Sequence, residues 1–356
     1  MQYFKFSSVL VFLIFISSCS SFINMNVTML EPGGVYLNPG INTIALVNRA
    51  ISVPKKENRI EAIVTMEGEN EDKQGRQQIL EGLNAALIQS PRLKSKITGI
   101  ELKGDGTGTT FPAPISWDSV ALLCNQNGVD ALLALETYDS DCIITHTTGN
   151  VQVNNAFGIP IPTVQFNVTQ KIIIKAGFRL YDPKTRIIVD QYTFSYWQTY
   201  TSQGSGLGEA IAALANRQLS VNQTSSDAGY YYEKHLSPSF MTERRHLYKK
   251  AGSSPLAIGS RMAIVGNWAE ATDYFKQALQ SGTNRKTCGR AAYNLALAAE
   301  IKGDLFEAKN WISKSYGEYN NSQAPYYQNT LNRRYNDMMK LNQQMQQQQA
   351  DSLNKR

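Results

Sequence analysis

Hydrophobic periodicity changes near Gly204, and this change constrains the fold more than any other feature of the sequence. Before it, apolar residues form short runs or alternate with polar ones, as in β-strands, with two segments of helical spacing in between. After it, apolar residues recur every three or four positions, as on the buried face of a helix. The length of 356 residues suits about two domains. The sequence therefore predicts an α+β chain, with a sheet domain over 43–203 and an all-α domain over 204–342.

The sheet domain is predicted to begin with a β-α-β-α-β unit and to continue as an antiparallel meander. The unit comprises strand 43–48, helix 72–89, strand 97–102, helix 117–127 and strand 129–135. The last strand is apolar throughout, which is typical of a strand covered on both faces. Strands 164–180 and 186–200 then flank Asp182-Pro183-Lys184-Thr185, a turn whose proline presets φ. Residues 144–155 are a further strand candidate.

The helical domain contains an internal repeat with an offset of 37 residues. At this offset Gly266-Asn267-Trp268 aligns with Gly303-Asp304-Leu305, Ala271 with Ala308, and Phe275 with Ile312. Small residues let paired helices approach closely, so the repeat predicts two stacked helix hairpins over 254–317. Residues 207–219 are expected to form one earlier amphipathic helix and 323–340 a covering helix. The Gln-rich tail, 343–356, is expected to be a frayed helix or disordered.

The hairpins resemble tetratricopeptide repeats, although the usual period is about 34 residues and three or more repeats are usual. The resemblance implies a concave helical groove that binds a protein or peptide. The positions that line such a groove are Arg261, Tyr293, Asn294 and Lys302.

The N-terminus predicts export and lipidation. Residues 1–18 contain one charge, Lys5, and a short apolar core that is well below the ~18 residues needed to span a bilayer. Ile16-Ser17-Ser18-Cys19 resembles the bacterial lipobox, which implies cleavage before Cys19 and acylation of its thiol. Residues 19–42 would then be a tether. The alternative is an ordinary signal peptide with a cysteine near its end.

The residues after Cys19 bear on the final location. By the sorting rule known for such proteins, Ser20 in place of Asp favours the outer membrane. The following residues lack the acidic cluster linked to surface export, so the chain is expected to face the periplasm.

Two segments of the sheet domain resemble a group of periplasmic α/β domains. They are 128–133, a glycine followed by an apolar strand, and 179–188, a hairpin in which Arg186 stands where the pattern has Gly. The group includes the curli-secretion lipoprotein, the activators of penicillin-binding proteins and the N-terminal domain of TolB. The resemblance implies an assembly or docking domain. As a whole, the arrangement resembles an uncharacterised family of Bacteroidetes-type lipoproteins.

Polar side chains follow the first and third predicted strands. Asn48 and Arg49 end the first strand, while Glu136 and Asp139 follow the third. Because the carboxyl ends of parallel strands form the crevice where such sheets bind ligands, these four residues are candidates for a binding crevice. We expect Arg49 to pair with Glu136 or with Asp139. A purely structural ion pair is the alternative interpretation.

Reactive chemistry has little support in the sequence. The three histidines, His146, His235 and His246, are not spaced as metal ligands, and no cofactor motif is present. The glycine-rich segment 204–208 lacks the Lys-Ser/Thr pair of a phosphate-binding loop and is interpreted as a domain junction. Cys124 and Cys142 flank the same predicted strand, and the sequence does not decide whether they form a disulfide. We therefore predict a protein that is not an enzyme and has no cofactor or metal.

Charge divides unevenly between the two halves. Residues 233–356 contain 18 Lys and Arg against 10 Asp and Glu, a net charge of +8, whereas 19–232 are slightly acidic. For an exported lipoprotein this favours anionic envelope components or an acidic protein partner over nucleic acid. The leading hypothesis is a lipid-anchored, non-catalytic scaffold of the cell envelope. The alternatives are a regulator of peptidoglycan synthesis and an envelope glycan enzyme, although the latter lacks paired carboxylates at a recognisable spacing.

Overall fold

A computed structural model describes residues 21–50, 69–104, 110–154, 156–250, 252–282 and 284–354. The predicted signal peptide and Cys19 lie outside the described residues. The chain divides into two compact units. The α/β unit comprises Leu30–Phe240 and Asp337–Arg356, and the helical unit comprises Met1–Met29 and Met241–Asn336.

The secondary structure elements are named in chain order. They are β1 (Phe22–Glu31), β2 (Thr43–Asn48), α1 (Glu69–Gln89), β3 (Lys94–Glu101), α2 (Trp117–Asn127), β4 (Ala131–Asn154), β5 (Pro160–Asp182), β6 (Ile187–Gly204), α3 (Leu207–Ala212), α4 (Arg217–Leu236), β7 (Ser239–Tyr248), α5 (Pro255–Ile264), α6 (Trp268–Gln280), α7 (Arg285–Lys302), α8 (Leu305–Gly317) and α9 (Ala324–Asn354).

The α/β unit is built on a five-stranded sheet in the order β3-β2-β4-β5-β6. Strand β2 is parallel to both of its neighbours, β3 and β4. The pairs β4–β5 and β5–β6 are antiparallel. The predicted α+β class, with a β-α-β-α-β unit followed by a meander, is confirmed. The strand candidate at 144–155 is the outer part of β4, which continues without a break from the buried strand.

Both faces of the sheet are covered at its parallel end, because successive side chains of a strand point to opposite faces. Ile44 and Leu46 pack with apolar side chains of α1 and α4 in the larger hydrophobic cluster. Ala45 and Val47 pack with side chains of α2 on the other face. Coverage on both sides explains why β2 and the start of β4 are continuous apolar runs.

The segment after Gly204 differs from the prediction of one helix over 207–219. It forms two helices, because α3 ends at Ala212 and α4 begins at Arg217. The N-cap of α4 is Asn216, whose side chain accepts a hydrogen bond from the Leu219 backbone N–H. Helix α4 packs closely on α1: a Cβ on Gly229 would lie 2.2 Å from the Ile79 carbonyl oxygen. The α/β unit therefore extends to Phe240, past the boundary expected at residue 203.

The helical unit contains two helix hairpins, α5–α6 and α7–α8, and α9 follows them as expected. The 37-residue repeat is visible in their caps. Asn267 and Asp304 each accept a hydrogen bond from the backbone N–H three residues later, and Gly266 and Gly303 precede them with φ of 83° and 88°. Two aligned pairs of the repeat, Ala271 with Ala308 and Phe275 with Ile312, are fully buried.

Two predictions for the helical half were wrong in detail. Strand β7 interrupts a stretch that was expected to be helical throughout, and it pairs with β1, which was interpreted as tether. The Gln-rich tail, expected to be either a frayed helix or disordered, is helical as far as Asn354 because α9 continues through it. Within the α/β unit Gln344 is buried, and its side-chain amide donates a hydrogen bond to the Gly33 carbonyl oxygen at 2.9 Å.

Candidate functional site

The predicted crevice residues at the strand ends form a buried ion-pair network, and the structure selects Glu136 as the partner of Arg49. The distance from Arg49 Nη1 to Glu136 Oε2 is 2.9 Å. The other carboxylate oxygen accepts hydrogen bonds from Tyr181 Oη at 2.6 Å and from Arg179 Nη1 at 3.3 Å. One carboxylate thus neutralises part of the charge of two buried guanidinium groups.

The other two crevice candidates lie outside this network. Asp139 is paired with Lys175, at 3.5 Å. The Asn48 side chain accepts a hydrogen bond from the Ala50 backbone N–H at 3.2 Å, which turns the chain as it leaves β2. The structure therefore brings together two of the four predicted residues.

The network also binds the loop that contains Pro112 and Ala113, which the sequence analysis did not connect to it. Arg49 donates to the Ala113 carbonyl oxygen at 2.7 Å, and Arg179 donates to the Pro112 carbonyl oxygen at 3.1 Å. Burial raises the pKa of Tyr181, and its hydrogen bond to Glu136 adds to the rise, although the bond from Arg179 opposes it. Tyr181 is therefore a neutral hydrogen-bond donor at physiological pH. These contacts fit the interpretation of a structural ion pair.

Two of the four predicted groove residues are covered by the chain's own strand β7. The Asn294 side chain, fully buried, accepts from the Tyr248 backbone N–H at 2.9 Å and donates to the Tyr248 carbonyl oxygen at 2.8 Å. Tyr293 is buried between the rings of Tyr248 and Tyr327, at centroid distances of 5.0 and 4.9 Å. The expectation that Tyr293 and Asn294 are open to a partner peptide is therefore wrong, because backbone of the same chain takes that place.

The remaining groove candidates are exposed. Arg261 donates to the Gly252 carbonyl oxygen at 2.9 Å and keeps an exposed side chain, and Lys302 is exposed at the end of α7. In the 37-residue repeat Lys302 corresponds to Val265, so both lie in the turn between the helices of a hairpin.

A second buried charge cluster holds the helical unit together, and the sequence analysis did not identify it. Glu300 of α7 accepts hydrogen bonds from Arg245 of β7, at 3.0 Å, and from Tyr327 and Arg334 of α9. Burial alone would raise the pKa of Glu300, but the hydrogen bonds and positive charge of Arg245, together with the bonds from Tyr327 and Arg334, lower it. The carboxylate therefore stays ionised inside the unit.

Two of the three histidines stack on aromatic side chains. His235 is 3.2 Å from Asp190 and stacks on Tyr192, whereas His246 stacks on Phe22 in the β1–β7 sheet. His246 was expected among helices and lies instead on β7. Among the described residues, no group of three or more His, Cys, Asp or Glu side chains is placed to hold a metal ion.

Cys124 and Cys142 are in different surroundings. Cys124 is buried in the cluster under α2, whereas Cys142 packs against the cluster on the opposite face of the sheet. Of the three cysteines that the structure describes, these two are not bonded to each other. Burial raises the pKa of the Cys124 thiol to about 11, and the negative charges of Asp130 and Asp182 add to the rise. A protonated, buried thiol is a poor nucleophile.

Glu233 of α4 is a buried acid with a perturbed pKa. Burial raises the pKa of its carboxyl to about 7, against a lowering by the charge of Lys234. Its side chain is nearly inaccessible to solvent. With a pKa of about 7, this carboxyl is protonated in about half of the molecules at neutral pH.

The most exposed large apolar side chains lie at two places. In the helical unit, Val265 and Phe306 are 75% and 70% exposed at the hairpin turns. In the α/β unit, Phe157 is 88% exposed at the turn between β4 and β5. Exposed apolar side chains become evidence for an interaction site where several of them lie together. Within the part of the chain that the structure describes, no helix is both long and apolar enough to cross a bilayer.

Two family models match the chain. The model named Domain of unknown function (DUF8603) matches residues 41–248, and the model named Domain of unknown function (DUF6340) matches residues 257–341. The first match spans the α/β core and ends with β7, and the second covers the helix hairpins. The tetratricopeptide resemblance of the hairpins stays a prediction. A search of curated proteins found no match.

Solved structures with a distant likeness cover about half of the chain. A "putative neuraminyllactose-binding hemagglutinin homolog" from Helicobacter pylori has 13% identity and a TM-score of 0.27, covering 58% of this chain and 88% of its own. PelC from Paraburkholderia phytofirmans has 12% identity and a TM-score of 0.20, covering 57% and 95%. A "putative lipoprotein" from Caulobacter crescentus has 15% identity and a TM-score of 0.18, covering 48% and 82%.

Proposed function

This chain belongs to the family defined by the Domain of unknown function (DUF8603), and from that premise we propose that it is a lipid-anchored, non-catalytic scaffold of the cell envelope that binds a protein partner. The anchor is the acylated Cys19 that the lipobox implies. The binding surface is the edge of the helical unit formed by the hairpin turns, in place of the concave groove.

The observation that carries this proposal is the exposure of Val265 and Phe306 on a positively charged unit. Tandem hairpins place equivalent turns at the same end of the stack. The turn at 264–266, and the turn at 302–305 with the start of α8, therefore form one edge, which presents Val265 and Phe306 together with Arg261 and Lys302. An apolar centre with basic residues around it suits an acidic protein surface.

The buried polar clusters support a non-catalytic role. Glu136 and Glu300 are each shared among several donors and shielded from solvent. A carboxylate held in this way adds to the specificity and stability of the fold, and its lone pairs are already occupied. The groove expected from the helix hairpins is occupied by strand β7, since Asn294 binds the backbone of Tyr248.

Cross-linking in intact cells followed by affinity purification and mass spectrometry tests the proposal. We expect Val265→Glu and Phe306→Glu to reduce recovery of the partner about tenfold or more, since an acidic group at this edge repels an acidic partner and removes apolar contact. The matched control is Leu122→Glu, at an exposed position of α2 in the other unit. An unchanged set of cross-linked proteins in both variants would contradict a partner at the turn edge.

A further inference from the structure

The outer part of the β4–β5 hairpin carries no charge. From Cys142 to Gln170 the sequence contains no Asp, Glu, Lys or Arg, although charged residues stand on both sides, at Asp141 and Lys171. We name residues 142–170 the hairpin arm. A run of 29 uncharged residues is unusual for a solvent-exposed hairpin, since sheet edges are normally protected by charged side chains.

The arm extends past its third strand. β4 and β5 pair as far as Asn154 opposite Pro160, whereas β6 ends at Gly204, opposite Phe166. Among the described strands, the last six residues of each strand, 149–154 and 160–165, are therefore paired only with each other, over about 20 Å. A two-stranded hairpin of this kind is marginally stable alone in water. It gains stability when its apolar side chains find another environment.

The end of the arm is apolar. Val153 lies opposite Ile161 in the register of the two strands, and Phe157 and Ile159 lie in and just after the turn. The exposed fractions of these four side chains run from 46% to 88%. We name these four residues the apolar tip.

We propose that the apolar tip inserts into the interfacial region of a lipid bilayer. The absence of charge at the tip and in the adjoining strand ends suits a lipid environment, where a charged side chain is strongly unfavourable. Protein interfaces, by contrast, concentrate their binding energy in Trp, Tyr and Arg. The tip has none of these three residue types, so its composition favours lipid over a protein partner.

The depth of insertion follows from the backbone. Only helices and closed barrels are stable across the hydrocarbon core, so a two-stranded hairpin does not cross it. Interfacial segments bury their apolar face by about 5–10 Å. At about 3.4 Å per residue, this depth corresponds to the turn and the first two or three residues of each strand. It places Phe157, Ile159 and the Val153–Ile161 pair in the membrane and leaves the rest of the arm outside.

Two prolines argue against an added strand on the β5 edge of the arm. Pro160 and Pro162 lie on β5, beyond the end of β6. Proline has no N–H, and in a strand it is tolerated where its nitrogen points away from the ladder. The β5 edge therefore lacks donors that an added strand from another copy, or an extended peptide, would need there, whereas the β4 edge contains no proline.

This inference rests on the proposed function in one respect. The acyl anchor at Cys19 would keep the chain at the membrane and raise the effective concentration of bilayer near the tip. The tip and the anchor are separate contacts, so each can be measured without the other.

Quenching of tryptophan fluorescence by brominated phosphatidylcholine tests the tip. The full acylated chain and the chain starting at Ser20 are each mixed with an excess of phosphatidylcholine–phosphatidylethanolamine vesicles. We expect Phe157→Trp to add a tryptophan that brominated lipid quenches in both chains, with little change in high salt because no charge is involved. The matched control, Leu122→Trp on α2, is expected to add an unquenched tryptophan. Phe157→Asp with Ile159→Asp is expected to lower binding of the chain from Ser20 by about tenfold or more.

The outcomes separate the two proposals. One outcome is that the acylated chain floats with vesicles, while in both chains the added tryptophan of Phe157→Trp is quenched no more than that of Leu122→Trp. The tip then does not enter lipid, and the lipid anchor is still supported. If brominated lipid quenches the added tryptophan of Phe157→Trp, and the protein isolated from cells carries no acyl group, insertion of the tip is supported and the lipid anchor is wrong. If a photoreactive residue at position 157 cross-links to a protein in intact envelopes while the Phe157→Trp variant stays unquenched, the occupant is a protein and the lipid proposal is wrong.

Discussion

Replacing Glu300 with alanine is expected to lower the free energy of unfolding of the helical unit by about 3–5 kcal/mol. The carboxylate joins three elements, because Arg245 lies on β7 and Tyr327 and Arg334 lie on α9. Its removal leaves the buried Arg245 with Glu243 as its remaining counter-ion and deprives Arg334 of the carboxylate to which it donates. Urea denaturation followed by circular dichroism measures the loss. The control is Glu318→Ala at the exposed end of α8, which is expected to change stability by less than about 0.5 kcal/mol.

The effect of Glu300 depends on pH with a definite sign. Its pKa in the folded chain is lowered, so its contribution is complete above the ordinary carboxyl value of about 4.3 and is lost as the pH falls through the lowered value. The difference in stability between the native chain and Glu300→Ala should therefore be constant near neutral pH and shrink in acid. A difference that is equally large at neutral pH and in strong acid would mean that packing, rather than the ion pairs, is responsible.

Replacing Glu136 with alanine is expected to destabilise the α/β unit by a similar amount, about 3–5 kcal/mol. Arg49 and Arg179 would lose their shared carboxylate, and Tyr181 would lose its acceptor at 2.6 Å. The loop that contains Pro112 and Ala113 is fastened by the same guanidinium groups, so it should become accessible to protease. Thermal unfolding and limited proteolysis measure the two effects.

Asp139→Ala is the matched control for Glu136. Asp139 was the other expected partner of Arg49, but it pairs with the exposed Lys175, and exposed pairs contribute about 1 kcal/mol or less. Equal destabilisation by the two substitutions would contradict the assignment of the buried network to Glu136.

The sheet was predictable because burial on both faces forces long apolar runs into the sequence. Strand β2 and helix α2 begin and end where periodicity and the Gly128 cap place them. Strands β1 and β7 were not predictable in this way. β7 carries Glu243, Arg244 and Arg245 within ten residues, and its only sheet partner among the described strands is β1, at the other end of the α/β sequence. A strand stabilised by charge pairing and by one distant neighbour leaves no local periodic signal.

The ion-pair network was predictable only in part, for a similar reason. Arg49 and Glu136 follow adjacent parallel strands, so topology alone brings them together. Arg179 and Tyr181 reach the same carboxylate from β5, and their position depends on the register of a long antiparallel pair that no local pattern specifies. Arg179 belongs to the 179–188 segment identified by resemblance, yet nothing in that segment indicated its partner.

The groove shows how a repeat pattern can locate residues correctly and still mislead about their role. Tyr293 and Asn294 are buried on α7, and Asn294 binds extended backbone. That backbone belongs to β7. The repeat predicts which surface recognises a strand but not whether the chain supplies the strand itself, since that depends on where the preceding segment folds.

The mass of the N-terminal peptide of the protein purified from its native membranes tests the central claim most directly. The account predicts that the mature chain begins at Cys19, with the added mass of acyl chains, and that it floats with the membrane fraction. A mature chain that begins at another residue, or a Cys19 peptide without acyl mass in a soluble fraction, would contradict the lipid-anchored scaffold proposed for this chain.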